Sequence, residues 1–180
     1  MWYNIFYLRM VNECPLIGGI VMFLEIDIKK VQTDAEEMFK SGGLYCSEAI
    51  VASIRKNIAF DMPKELIATS SGFPVGVGRS KCMCGAISGA VICLGYFFGR
   101  TQPSSATDPK SQNCLKLANE LQESFRNNHN GVLCCYIHTR GMDMASEEHK
   151  SQCIKFTGEM ATKTAEIIAR ELDIKLTTNE

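Results

Sequence analysis

The chain has 180 residues, and its nineteen basic and twenty acidic side chains give a net charge of −1. This near-neutral charge excludes the strongly basic surface of a typical nucleic-acid-binding protein. The length suffices for one domain with its own hydrophobic core. Nine of the 180 residues are cysteine, a fraction of about 5%, which is below the roughly 8–10% typical of a disulfide scaffold. We therefore expect these thiols to serve redox or metal chemistry in a reducing compartment.

The N-terminal region lacks the features of a secretory signal. Residues 1–24 contain a lone Arg9 and an apolar run at 15–24, without a basic n-region or a small-residue cleavage site. We expect residues 1–21 to be an extension outside the fold and residues 22–180 to form a single helical domain. The expected location is cytoplasmic.

The first predicted elements are three helices. A capping-box pattern at Thr33 predicts that the first helix begins there, and the Gly42-Gly43 pair ends it. A second helix is predicted from Tyr45 to Lys56. Pro63 suits the first turn of a short third helix that ends near residues 70–72.

A glycine-rich loop at 73–79 precedes the predicted central helix, which Ser80 is expected to cap. The inward stripe of this helix is predicted to comprise Cys84, Ile87, Val91, Gly95 and Phe98. The uncharged stretch at 82–99 lies near the lower limit of length for a membrane span. Its glycines instead favour a buried helix against which other helices pack closely, so we expect no membrane span.

Two further long helices are predicted after a loop at 101–107, separated by a short helical turn from Cys134 to His138. The first runs from Asp108 to Asn127, and the last runs from Ser146 to Ile174. The last helix has an inward stripe at three- and four-residue steps: Cys153, Phe156, Met160, Thr164, Ile168 and Leu172. Only residues 21–28 show strand-like alternation. The sequence therefore predicts an all-α fold, a compact multi-helix bundle around a glycine-rich central helix, whose glycine faces make a homo-oligomer plausible.

Several cysteines are predicted to lie where helices begin. The positive end of a helix dipole favours the thiolate, which is the form that attacks disulfides and binds metals. Cys46 lies at the start of the second helix, and Cys82 and Cys84 lie in the predicted first turn of the central helix. Cys135 follows a glycine-containing turn, and Cys153 begins the inner stripe of the last helix. We expect Cys46, Cys84, Cys135 and Cys153 to converge inside the bundle.

The remaining thiols and one histidine are weaker candidates. His149 lies one helical turn before Cys153, and it joins Cys82 and Cys134 as an auxiliary ligand candidate. We expect Cys14, Cys93 and Cys114 to pack in the core or to lie on the surface without a functional role. The sequence has no Cys-x-x-Cys, which excludes thioredoxin-type and zinc-ribbon pairs.

Four cysteine motifs follow one another along the chain. They are Gly-Leu-Tyr-Cys-Ser-Glu-Ala at 43–49, Lys-Cys-Met-Cys-Gly-Ala-Ile-Ser-Gly at 81–89, Gly-Val-Leu-Cys-Cys at 131–135 and His-Lys-Ser-Gln-Cys at 149–153. In order and approximate spacing, from about residue 28 to residue 173, the sequence resembles the C_GCAxxG_C_C family of redox-active proteins. The resemblance implies a redox role for four shared cysteines: Cys46, Cys84, Cys135 and Cys153. Members of this family are often encoded near transporter genes, which implies a link to a transporter.

The motif region is also similar to that of split-Soret-type cytochromes, which carry haem. This chain has no Cys-x-x-Cys-His motif, the sequence that attaches c-type haem. A haem is therefore not expected.

Two classes of function remain open. In the first, the four thiolates bind an iron–sulfur cluster for electron transfer, or act in pairs in thiol–disulfide exchange with an unidentified redox partner protein. In the second, they form a non-enzymatic site that holds structural zinc or captures a soft metal for a transporter. No reaction can be assigned from the sequence, so an oxidoreductase activity stays undefined.

Overall fold

The computed structural model describes the backbone of residues 16–17, 20–21 and 23–178, and the side chains of residues 23–134 and 136–178. Seven helices lie within these residues: α1 Ile28–Lys40, α2 Cys46–Asn57, α3 Glu65–Thr69, α4 Gly85–Phe98, α5 Pro109–Asn128, α6 Cys135–His138 and α7 Glu147–Leu172. The same residues contain four short strands: β1 Leu16–Ile17, β2 Ile20–Val21, β3 Glu25–Asp27 and β4 Lys175–Thr177. The predicted all-α fold is confirmed. The predicted extension, residues 1–21, lies outside the described residues except for the backbone of β1 and β2.

Two helices begin at residues that differ from the sequence prediction. The α1 helix begins at Ile28 rather than near Thr33, because the Asp27 carboxylate accepts a hydrogen bond from the Lys30 backbone N–H at 3.1 Å and caps the helix there. The α4 helix begins at Gly85 with Cys84 as its N-cap, so the prediction that Ser80 caps it is wrong.

The loop before α4 explains its late start. Positive φ angles occur at Val75, Val77, Arg79 and Lys81, and also at two glycines between them, Gly76 and Gly78. L-residues in the left-handed region cannot continue into a right-handed helix. Cys82 therefore lies in this loop, outside α4, contrary to the prediction.

The core surrounds α4, whose N-terminal half is buried from Gly85 to Ala90. Further along α4, Cys93 and Leu94 are buried, whereas Val91 is half-buried and Gly95 is exposed. Val91 still packs against the core, so the predicted inward stripe is wrong only at Gly95. Large side chains from α2, α4, α5 and α7 fill the same core: Ile50, Ile54, Ile87, Leu94, Leu121, Phe125 and Phe156.

Glycines allow α4 to lie directly against α2. A Cβ atom built on Gly89 would lie 2.6 Å from the Ser47 carbonyl oxygen and 2.7 Å from the Ser47 Cα. A Cβ atom built on Gly85 would lie 2.8 Å from the Cys46 Sγ. This close approach places Cys46 beside the first turn of α4.

The last helix ends in a short parallel strand pair. Asp173 adopts a left-handed conformation after Leu172, and the chain then pairs β4 with β3, with Ile26 opposite Leu176. The sequence prediction missed β4, because a three-residue strand with a distant partner has no periodicity of its own.

Among the helices of the described residues, none combines the length and the apolar character that crossing a membrane would require.

Candidate functional site

Three long helices begin at one cavity. Tyr45, Cys84 and Ser146 are the N-caps of α2, α4 and α7, and all three residues line a cavity of about 310 Å³. The Glu48 carboxylate accepts a hydrogen bond from the Tyr45 backbone N–H at 2.7 Å, and the Ser146 hydroxyl accepts one from the His149 N–H at 3.1 Å. These local bonds fix where α2 and α7 begin, and the packing of the helices brings those N-termini to the cavity.

The cavity brings together three of the four cysteines that the sequence singled out. Cys46 is the first residue of α2, Cys84 is the N-cap of α4, and Cys153 lies in the second turn of α7; all three line the cavity. Cys84 is buried, and the other two are half-buried. Residues distant in sequence therefore contribute thiols to a common wall.

The fourth predicted cysteine, Cys135, begins the short helix α6. Its side chain lies outside the described residues. Two neighbours in the same segment, Tyr136 and Thr139, line the cavity, and the Cys84 backbone N–H donates a hydrogen bond to the Leu133 carbonyl oxygen at 2.9 Å. The backbone that carries Cys135 is thus attached to the start of α4.

The electrostatics of the cavity combine apolar walls with three helix N-termini. Phe39, Leu44 and Phe156 contribute apolar surface to the lining, and an apolar environment alone would disfavour a thiolate. The N-terminus of a helix carries the equivalent of about half a positive charge. Three such ends at one cavity favour negative charge there, whether the charge is on a thiolate or on a bound anionic group.

His149 is the auxiliary candidate that the structure places at the site. Its Nδ1 lies 4.0 Å from the Cys153 Sγ, and its side chain lines the cavity together with Lys150. A histidine at this distance can exchange a proton with the thiol after a small movement.

The other two auxiliary candidates, Cys82 and Cys134, do not belong to the cavity lining. Cys82 is exposed, and the Cys134 thiol donates a hydrogen bond to the Lys81 carbonyl oxygen at 2.7 Å. They lie on neighbouring loops beside the site.

The thiols predicted to have packing roles lie away from the cavity where they are described. Cys93 is buried in α4, and this burial raises the pKa of its thiol far above the usual range. Cys114 is half-buried on α5, and burial also raises the pKa of its thiol. Cys93 belongs to the core and Cys114 packs against it, in agreement with the packing roles predicted for them. Cys14 lies outside the described residues.

Within residues 23–134 and 136–178, whose side chains are described, no group of three or more His, Cys, Asp or Glu residues is arranged to hold a metal ion. That set does not include the Cys135 side chain. The donors present are three cysteines from separate segments on one wall, with the backbone of the fourth beside them, and thiolates are the ligand type that a cluster or zinc requires.

Sequence reasoning missed several residues of the cavity wall. Tyr45, Tyr136, Thr139 and Ser146 all contribute to the lining, yet none belongs to the residue types usually considered as ligands. For Tyr45 and Ser146 the only signal in the sequence was their position directly before a helix. Tyr136 and Thr139 carried no signal.

Comparison with protein families gives one match. Residues 44–167, well over half of the chain, match the family described as "Putative redox-active protein (C_GCAxxG_C_C)". No curated protein and no solved structure matches the chain. The matched segment contains all four cysteines of the predicted site, and the chain belongs to the C_GCAxxG_C_C family.

Proposed function

We propose that the cavity is a redox centre in which Cys46, Cys84, Cys135 and Cys153 hold an iron–sulfur cluster. The observation that supports this proposal is the position of three of these cysteines on one cavity where α2, α4 and α7 begin. Four cysteine thiolates are the usual ligand set for such a cluster. When bound, the cluster would supply one-electron transfer.

The residues of the chain have separate tasks in this proposal. Cys46, Cys84 and Cys153 on the cavity wall would hold the cluster together with Cys135 as the fourth ligand. The N-termini of α2, α4 and α7 stabilise the negative charge of the thiolates, and apolar side chains such as Phe39 and Phe156 keep water away. Burial and hydrogen bonds to sulfur are the features that set the potential of such a centre.

Thiol–disulfide exchange is the second candidate, and the distance between His149 and Cys153 favours it. His149 takes the proton of Cys153, and the resulting thiolate attacks a disulfide of a partner protein and expels one partner thiolate. A second cavity cysteine then attacks the mixed disulfide and expels the other. The chain gives up two electrons and two protons, and the partner disulfide becomes two thiols.

The resemblance to the family also supports a link to a transporter, and a cysteine content below that of a disulfide scaffold supports a cytoplasmic location. We include both in the proposal. In the non-enzymatic alternative, the same thiolates hold zinc or pass a soft metal to that transporter.

The proposal is tested by analysis of iron, sulfide and zinc, with a visible absorption spectrum, on anaerobically purified protein. We compare the wild type with Cys84→Ser, which keeps a good N-cap residue for α4, and with Cys114→Ser as a matched control away from the cavity. Stoichiometric iron and sulfide that are lost in Cys84→Ser and kept in Cys114→Ser support the cluster.

Two other results would contradict the cluster. Metal-free protein in which two thiols titrate reversibly with a thiol–disulfide buffer would assign exchange instead. Stoichiometric zinc without iron would make the chain a metal-binding module rather than a redox protein.

A further inference from the structure

Two cysteines outside the cavity lining lie within reach of each other. The Cys134 thiol donates a hydrogen bond at 2.7 Å to the carbonyl oxygen of Lys81, the residue directly before Cys82. In a trans peptide, that oxygen lies about 2.8 Å from the next Cα atom, so the Cys134 Sγ lies within about 5.5 Å of the Cys82 Cα. A small movement of either loop brings the two residues to the Cα–Cα separation of about 4.4–6.8 Å that a disulfide requires.

The loop that carries Cys82 is closed on itself and presents this residue to solvent. The Cys82 N–H donates a hydrogen bond to the Gly76 carbonyl oxygen at 3.3 Å, and the Lys81 N–H donates one to the Val75 carbonyl oxygen at 3.1 Å. Cys82 is exposed, whereas Cys134 is half-buried. This difference makes Cys82 the thiol that an incoming reagent meets first.

We propose that Cys82 and Cys134 form a second, surface dithiol that cycles between two thiols and a disulfide. The reaction partner is the disulfide of a small thiol, such as oxidised glutathione. This proposal does not depend on what the cavity holds, because neither residue contributes to the cavity lining.

The exchange proceeds in two balanced steps. The Cys82 thiolate attacks one sulfur of the incoming disulfide, which breaks the S–S bond and releases one thiolate. The Cys134 thiolate then attacks the Cys82 sulfur and expels the second thiolate. Cys82 and Cys134 lose two electrons and two protons, and the incoming disulfide is reduced to two thiols.

Oxidation of this pair would act directly on the two chain segments that lead into the site. Cys82 lies two residues before Cys84, and Cys134 directly precedes Cys135. The Cys84 N–H donates a hydrogen bond to the Leu133 carbonyl oxygen, and the Lys81 ammonium lies 4.3 Å from the centre of the Tyr136 ring, so the contacts described between these segments are noncovalent. A covalent bridge would fix them together and restrict movement of that wall of the cavity.

The test is disulfide mapping of the full-length protein. The protein is equilibrated with mixtures of reduced and oxidised glutathione, its remaining thiols are blocked, and non-reduced tryptic peptides are identified by mass spectrometry. Cleavage after Lys81, Arg100, Arg126 and Arg140 leaves Cys82 in peptide 82–100 and Cys134 in peptide 127–140. We expect these two peptides to be linked in the wild type.

Variants identify the sulfur atoms in that link, because peptide 82–100 also contains Cys84 and Cys93 and peptide 127–140 also contains Cys135. Cys82→Ser and Cys134→Ser should each abolish the linked peptides, and Cys114→Ser should retain them, with circular dichroism showing that every variant is folded. The proposal is overturned if the link survives in Cys82→Ser or in Cys134→Ser, or if the wild type shows no link at any glutathione ratio.

The metal content of the same variants separates this proposal from the proposed function. Cys82→Ser and Cys134→Ser should bind as much iron as the wild type. Loss of iron in either variant would make that cysteine a ligand of the cavity site and would overturn the surface dithiol. A wild type that lacks iron but still forms the link would contradict only the cluster.

Discussion

Replacing a glycine of α4 by alanine should change the stability of the fold in opposite directions at Gly89, which contacts α2, and at Gly95, which is exposed. A Cβ atom built on Gly89 would lie 2.6 Å from the Ser47 carbonyl oxygen. This oxygen is part of the α2 backbone, so it cannot rotate away as a side-chain atom could. Overpacking of this kind costs about 1–3 kcal/mol. Alanine recovers about 0.5–1 kcal/mol of helix propensity relative to glycine. Gly89→Ala should therefore lower the free energy of unfolding by about 1 kcal/mol, within a range of roughly 0–2.5 kcal/mol.

Gly95 provides a matched control on the same helix. It is exposed, and a Cβ atom built on it would have no neighbour within 4 Å. Gly95→Ala should raise the free energy of unfolding by about 0.5–1 kcal/mol, since only helix propensity changes. Urea denaturation followed by circular dichroism measures both variants. If Gly89→Ala were as stable as Gly95→Ala, the close packing of α2 against α4 would be refuted.

Three further predictions concern single side chains. Cys93, whose thiol pKa is raised by burial, should resist iodoacetamide at pH 8 until denaturant is added; rapid labelling of the folded protein would contradict its place in the core. Arg170 donates two hydrogen bonds, both of 2.8 Å, to the Glu120 carboxylate and so lowers the pKa of Glu120. This pair should therefore stabilise the fold fully above a pH of about 4.3, and the stabilisation should be lost as the pH falls through the lowered pKa. Glu120→Gln should accordingly lower the free energy of unfolding by about 0.5–1 kcal/mol at pH 7, and an equal loss at pH 2 would count against an ionic origin. Gly76→Ala should lower the free energy of unfolding by about 1–3 kcal/mol, because a Cβ at this left-handed position meets the Cys82 backbone N; unchanged stability in urea denaturation would show that the loop tolerates a side chain there.

Elements with strong local signals were predicted well from the sequence. Asp108 caps α5 by accepting a hydrogen bond from the Ser111 N–H at 3.0 Å, and Ser146 caps α7 in the same manner. A cap and a helical stripe are both local properties, so the predicted starts of these helices agree with the structure.

Elements that depend on tertiary contacts could not be predicted in this way. The late start of α4 results from left-handed backbone at Val75, Val77, Arg79 and Lys81, residue types that give no local indication of that conformation. The β4 strand exists only because β3 lies beside it.

The candidate site was predicted through its cysteines rather than through its shape. The predicted helix boundaries placed Cys46 and Cys84 at helix starts, and both lie there in the structure. The same boundaries placed Cys82 in the first turn of α4, which is wrong. That α2, α4 and α7 begin at one cavity follows from how the helices pack, and no periodicity within a single helix encodes it.

The parallel pairing of β3 with β4 has a consequence for the connectivity of the chain. Glu25 and Lys175 are joined by an ion pair of 2.6 Å, although 150 positions separate them in sequence. The two ends of the helical body are therefore neighbours, which is the geometry that circular permutation requires. New termini opened in the exposed loop at 101–107 would lie beyond the C-terminal end of α4, about 21 Å along its axis from Cys84. A permuted chain should keep its cavity intact, since the order in which the helices are synthesised does not alter which of their ends meet.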